Sequence, residues 1–253
     1  MFFRNNFLRS LDPHTFRGAY HMDEIDLSYN QFAALNNSGL FKKNPNIRVI
    51  KLNNNMIGEL KMKVISVLNL LERFEVQNNR LKKITGGILS KASNLAYADF
   101  GHNHIEKIAT KAFTENINLK ELYLNNNKLK AINKKLLSKQ ENLVHLRLDY
   151  NEIETMNKDS MQHLKSAKTI LLNNNKLTTL AEKQFKGLKA LEKINLDHNQ
   201  IASIPASVFN NCDNLKYVFI RYNKEHVIHA YRTKTGSESN TGFSINSSKL
   251  KKL

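Results

Sequence analysis

Two groups of side chains stand out for non-covalent chemistry. Tyr97, His102, Tyr123, His145, Arg147 and Tyr150 form one, and His198, Tyr217, Phe219, Arg221 and Tyr222 the other. Tyrosine and arginine join a broad contact area to directed hydrogen bonds, so they concentrate where proteins grip one another. Bond-making chemistry is poorly provided for. The chain has no GxSxG elbow, no phosphate-cradling Walker loop and no HExxH helix. His102 and His104 make an HxH pair near Asp99 but lack the spacing of a zinc module. Neither catalysis nor a bound metal or cofactor is therefore expected. The single cysteine, Cys212, excludes an internal disulfide. It shares a column with Ala19, Ala92 and Leu164, where a buried, inert thiol is expected.

The elements that must carry these side chains are set by one repeating residue. Asparagine recurs at Asn6, Asn30, Asn55, Asn79, Asn103, Asn127, Asn151, Asn175, Asn199 and Asn223, spaced by 24 residues except for one interval of 25. Apolar residues keep phase with it: Leu191, Ile194, Leu196, Asn199, Ile201 and Ile204 repeat as Leu143, Leu146, Leu148, Asn151, Ile153 and Met156. A second column, Phe16, Phe41, Ile65, Leu89, Phe113, Leu137, Met161, Phe185 and Phe209, holds one offset throughout. Helical periodicity does not keep a 24-residue phase, whereas stacked supersecondary units do. Within LxxLxLxxNxLxxL the xLxLx stretch reads as a short strand, leucines inward and x residues outward. One such unit cannot bury its own leucines, but a stack of them can. Just past the strand the chain must turn, and the asparagine amide, both donor and acceptor, can satisfy the backbone groups enclosed there. In "LNNNKL" only Asn127 belongs to this frame; Asn125 and Asn126 read as solvent-facing polar residues.

The pattern resembles the leucine-rich repeat family in its 24-residue form. The phrase "LKELYLNNNKLKAINKKLLSKQENL" is similar to repeats of Toll-like receptor ectodomains and insect leucine-rich immune proteins. The resemblance implies an α/β repeat solenoid, a horseshoe with a parallel β-sheet on its concave face and loops or short helices on its convex side. It would cover residues 1–223 as about ten repeats, the first truncated, with 224–253 as an irregular cap and a polar, basic tail. It also implies extracellular recognition of a protein ligand or co-receptor, in innate immunity or at the cell surface. Extracellular members carry cysteine-rich caps, which this sequence lacks, and its first residues enter in mid-repeat. A fragment, or a start that lies further upstream, is expected.

Charge gives a second reading. The formal net charge is +17. The outward strand positions hold seven carboxylates, Glu24, Asp26, Glu75, Asp99, Glu121, Asp149 and Asp197, against five bases, Lys51, Arg73, Arg147, Lys193 and Arg221. The excess therefore lies elsewhere, on a flank that includes Arg80, Lys82, Lys83, Lys107, Lys111, Lys128, Lys130, Lys134, Lys135, Lys158, Lys176 and Lys183. Such a flank suits a polyanion or matrix component. Lysine predominates there without interleaved aromatics, which disfavours a specific nucleic-acid groove.

The remaining signals bound the class. With 41% apolar residues in a 253-residue chain, a sizeable core is affordable. No apolar run reaches the roughly 18 residues of a membrane span. "MFFRNNFLRS" has no sustained apolar region and does not read as a signal peptide. Two glycosylation sequons begin at Asn36 and Asn246. Beyond Lys224 the frame is lost: Glu225 replaces an apolar residue, "HVIHAY" is expected to add an edge strand, and the Gly/Ser/Thr/Asn-rich remainder to be mostly disordered.

Overall fold

The computed structural model describes residues 1–35, 37, 39–65, 67–224 and 243–244. Asn36, Asn246, Glu225 and "HVIHAY" lie outside the described residues. Two compact units divide the chain, residues 1–127 and 128–253.

Each unit is a stack of parallel β coils. In the first, strands Glu24–Asp26, Val49–Lys51, Arg73–Glu75, Tyr97–Asp99 and Glu121–Tyr123 pair in sequence order. In the second, His145–Arg147, Thr169–Leu171, Lys193–Asn195 and Tyr217–Phe219 do the same. All of these pairs are parallel, because each coil returns the chain to the same side before the next strand begins. The register repeats the sequence frame: Arg73 faces Tyr97, and Lys193 faces Tyr217. The one 25-residue interval leaves the sheet untouched, since Glu24 still faces Val49. In the second unit the last of these strands also pairs antiparallel with Phe243–Ser244, within the tail expected to be disordered.

The pleat sorts the side chains as the pattern requires. Ile25, Ile50, Phe74, Ala98 and Leu122 in the first unit are fully buried, as are Leu146, Ile170, Ile194 and Val218 in the second. The second column is buried throughout, from Phe16 to Phe209. Where two aromatics are adjacent in it they stack: Phe16 on Phe41 with ring centroids 5.8 Å apart, and Phe185 on Phe209 at 5.8 Å. Across from the sheet the chain runs mostly in turns. The helix described there is the four-residue Met62–Ile65.

The asparagine ladder is built as the frame demands and does more than one bond's work. Asn79 Nδ2 donates to Leu52 O of the preceding coil at 2.9 Å, and to Val76 O and Gln77 O of its own. Its Oδ1 accepts the Ile57 N–H at 2.8 Å. In the second unit Asn199 binds Leu172 O, Leu196 O, Asp197 O and the Leu177 N–H in the same way. At the first frame position, Asn6 is exposed and bonds within its own turn.

The neighbouring asparagines of "LNNNKL" are not idle, contrary to the sequence reading. Asn125 is 4% exposed. Its amide lies over Gly101, where an added Cβ would come within 3.0 Å of Asn125 Oδ1. Asn126 takes a left-handed backbone, φ 53°, a conformation asparagine tolerates and most residues resist. Burial of Asn125 depends on the residue one coil away being glycine, which a single-repeat view does not reveal.

A candidate recognition surface

The outward strand side chains come together unit by unit. In the first unit the Arg73 guanidinium lies 3.6 Å from the centroid of the Tyr97 ring and its Nε donates to Glu75 Oε1 at 2.5 Å. Tyr97 and Tyr123 meet edge to face at 5.3 Å. Their hydroxyls donate to carboxylates on their own strands, Tyr97 to Asp99 at 3.4 Å and Tyr123 to Glu121. Burial, then the nearby Asp99 carboxylate, pushes the Tyr97 hydroxyl far above its ordinary range, so it stays a donor. Each ring is thus fixed at both ends before any ligand arrives. Arg73 was absent from the residues singled out in the sequence. The signal was available, because the 24-residue spacing puts it directly beside Tyr97.

In the second unit arginines sit over buried carboxylates. Arg147 Nε and Nη2 grip the two oxygens of Asp149 at 3.1 and 2.8 Å. Arg221 reaches to the previous coil, its Nε and Nη2 donating to Asp197 Oδ2 while its backbone N–H donates to Oδ1. Both carboxylates are buried and the guanidinium-bearing side chains remain part exposed. Phe219 is flanked by Tyr217, with ring centroids 6.5 Å apart, and by Lys193 Nζ at 5.4 Å. His145 opens the first strand of this unit.

His102, Tyr150, His198 and Tyr222 belong to a different feature. They lie at the strand exits, immediately before a ladder asparagine. In ten coils this position has φ between 52 and 59°. Five of its occupants are asparagine, Asn5, Asn54, Asn78, Asn126 and Asn174, and five are Tyr or His, namely Tyr29, His102, Tyr150, His198 and Tyr222. The backbone ladder runs through it: Tyr150 N–H donates to Asn173 O and His198 N–H to Arg221 O. Side chains along this rim touch their neighbours. His198 stacks on Tyr222 at 4.2 Å, and in the first unit Asn126 Nδ2 lies 3.3 Å from His102 Nε2. The sequence marks these residues as outward-facing but gives no sign of their backbone state.

The basic flank differs between the units. In the second, lysines pair with carboxylates: Lys176 with Glu152 at 3.1 Å and Lys134 with Asp159 at 3.0 Å. The Lys176 hydrogen bond, with Lys130 and Lys128 behind it, holds the Glu152 carboxyl below its usual range. In the first unit, exposed Lys83 and Lys107 are register partners, a like-charge pairing that opposes folding.

Cys212 is buried, and its Sγ donates to Phe185 O at 3.0 Å. Asn116 does the same for Leu89 O and Asn44 for Phe16 O, so the thiol occupies a column of donors as well as of small apolar residues. Burial raises its pKa to about 11. Folded protein at pH 8 should therefore resist thiol-reactive reagents, with labelling at the free-cysteine rate only after denaturant is added. Rapid labelling of the native state would contradict this.

Comparisons with known proteins agree with this architecture. A leucine rich repeat family model matches residues 69–129, 93–153, 117–177 and 141–201. No curated protein sequence matches the chain. Among solved structures, Toll from the Drosophila Toll–Spatzle complex in its glycosylated form aligns with a TM-score of 0.82 at 21% identity, over 88% of this chain and 30% of that one. TLR13 in its complex with ssRNA13 aligns with a TM-score of 0.76 at 19% identity, over 85% and 35%. The chain thus spans about a third of the length of these relatives in fold.

Proposed function

Because the chain belongs to the leucine-rich repeat family, we propose that it is a non-enzymatic recognition module whose strand faces bind a protein ligand, in an extracellular setting such as innate immunity. One observation carries the reading. Aromatic and arginine side chains on the strand faces are held in place by their own carboxylates and rings, as in the Arg73–Tyr97–Tyr123 group. Groups already ordered lose little conformational freedom when a partner arrives, so more of the contact energy appears as affinity. The fold likeness to Toll, in a structure that contains Spatzle, supports the setting. Among the described residues no helix is long and apolar enough to cross a membrane.

The test is affinity capture from a panel of extracellular proteins, with wild type beside Arg73→Ala/Tyr97→Ala and Tyr217→Ala/Phe219→Ala proteins. A ligand held by wild type should lose at least tenfold in affinity to one of these pairs, and should survive a rise in salt. Ligands indifferent to both pairs would refute the reading.

A second reading, a polyanion- or matrix-binding scaffold, rests on a different place. His14, Arg17, Lys42 and Lys43 line one concavity of about 260 Å³ in the first unit, with no carboxylate among the lining residues. Binding there would weaken steeply between low and moderate ionic strength, so the same capture run across a salt series separates the two.

A further inference from the structure

The left-handed rim of the second unit marks where a partner sits, and the charge beneath it indicates what that partner is. At this backbone position asparagine is at ease, histidine is tolerated and a bulky tyrosine is an outlier. Tyr150 and Tyr222 nevertheless occupy it at φ 53 and 56°, and they are 52% and 63% exposed. Asn174, on the coil between Tyr150 and His198, shows that the fold accepts asparagine in the same unit. Among the described residues the Tyr150 ring has no stacked or cationic partner, unlike Tyr222, which stacks on His198. A strained, solvent-facing aromatic residue in place of a comfortable asparagine points to contact with something outside the chain.

The adjoining strand face narrows the partner. Its cations are Arg147, Lys193 and Arg221, and its carboxylates, Asp149 and Asp197, are buried beneath two of them. What faces outward is therefore cationic and aromatic, while the buried acids keep the net charge small. That balance suits a few carboxylates in a protein chain rather than a continuous polyphosphate. A single-stranded nucleic acid needs open stacking faces for successive bases. Here Phe219 is flanked by Lys193 and Tyr217, and His198 and Tyr222 each cover one face of the other.

We propose that the rim residues Tyr150, His198 and Tyr222, with Arg147 and Arg221 beside them, form the contact line for an acidic protein segment. This rests on the recognition reading above and adds a location and a partner chemistry to it.

The experiment uses the full chain and three probes: immobilised Asp/Glu-rich 15-residue peptides, Lys/Arg-rich peptides of equal length, and single-stranded oligouridine. Wild type should retain acidic peptides above the other two. Tyr150→Asn should weaken that binding about tenfold while raising Tm by about 2 °C, because it relieves backbone strain. Tyr222→Asn should weaken binding with little change in Tm, since it also loses the stack on His198. Equal or tighter retention of oligouridine or of basic peptides would overturn the partner class. A fall in Tm for Tyr150→Asn would overturn the strain argument. Acidic-peptide binding that survives both rim variants but is lost in Tyr217→Ala/Phe219→Ala would sink this inference and leave the recognition reading standing. Protein-ligand binding indifferent to every variant would remove both.

Discussion

Replacing Asn79 by alanine should destabilise the first unit by about 2–3 kcal/mol, from one buried donor left unmatched and two carbonyls each reduced to a single partner. The side chain is buried and makes four hydrogen bonds. Its loss strands the Ile57 N–H, whose acceptor is Asn79 Oδ1, while the Leu52 and Val76 carbonyls each keep one donor, Asn55 Nδ2 and Asn103 Nδ2. Asn79→Asp should be no milder. It keeps an acceptor for Ile57 but points a carboxylate at carbonyl oxygens. The adjacent Asn78→Ala is the control. It leaves the ladder amide in place and meets only the left-handed backbone at φ 56°, so its cost should be about 1 kcal/mol. Urea unfolding followed by circular dichroism reads both. Equal effects at positions 78 and 79 would show that the ladder does not hold the coils together.

The second large effect is expected at Phe100. This ring is fully buried, 5.6 Å from Phe74 and 6.0 Å from Phe113 between centroids. It lies just past the strand Tyr97–Asp99, at the position that Leu124 holds in the following coil. Phe100→Ala should cost about 3–5 kcal/mol, since it removes apolar burial and leaves a cavity that a stacked core closes only in part. Phe100→Leu restores most of the volume with the residue found one coil further on, and should cost about 1 kcal/mol. A midpoint for Phe100→Ala within 1 kcal/mol of wild type would mean that the coils collapse freely into the space.

The column structure was legible from the sequence because each column answers to one physical demand repeated many times. Leucine-type residues alternate with outward residues, an aromatic or aliphatic residue packs opposite the sheet, and an amide closes the turn. Ten instances of Asn at one offset leave little room for another reading. What stayed hidden depends on neighbours in space or on backbone state. Asn125 looked solvent-facing because only the adjacent coil shows that Gly101 makes room for it. The rim conformation was hidden because Asn, Tyr and His share no side-chain class, although all follow from the same turn. Arg73 reads in the sequence only as an outward base, because its value lies in the coil-to-coil register that sets it against Tyr97. Of the candidate surface, the sequence conveyed which residues face out, and the structure adds which of them are locked together.

The ladder asparagine of one coil satisfies groups on its own coil and on the one before it, and reaches no further. A length of chain twenty-four residues long is therefore an interchangeable part. Duplication or excision of a whole part would leave each junction with the same partners as before, so such a protein can grow or shrink by recombination without redesign. The outward residues travel with their part, and a new binding face can be assembled by shuffling existing ones.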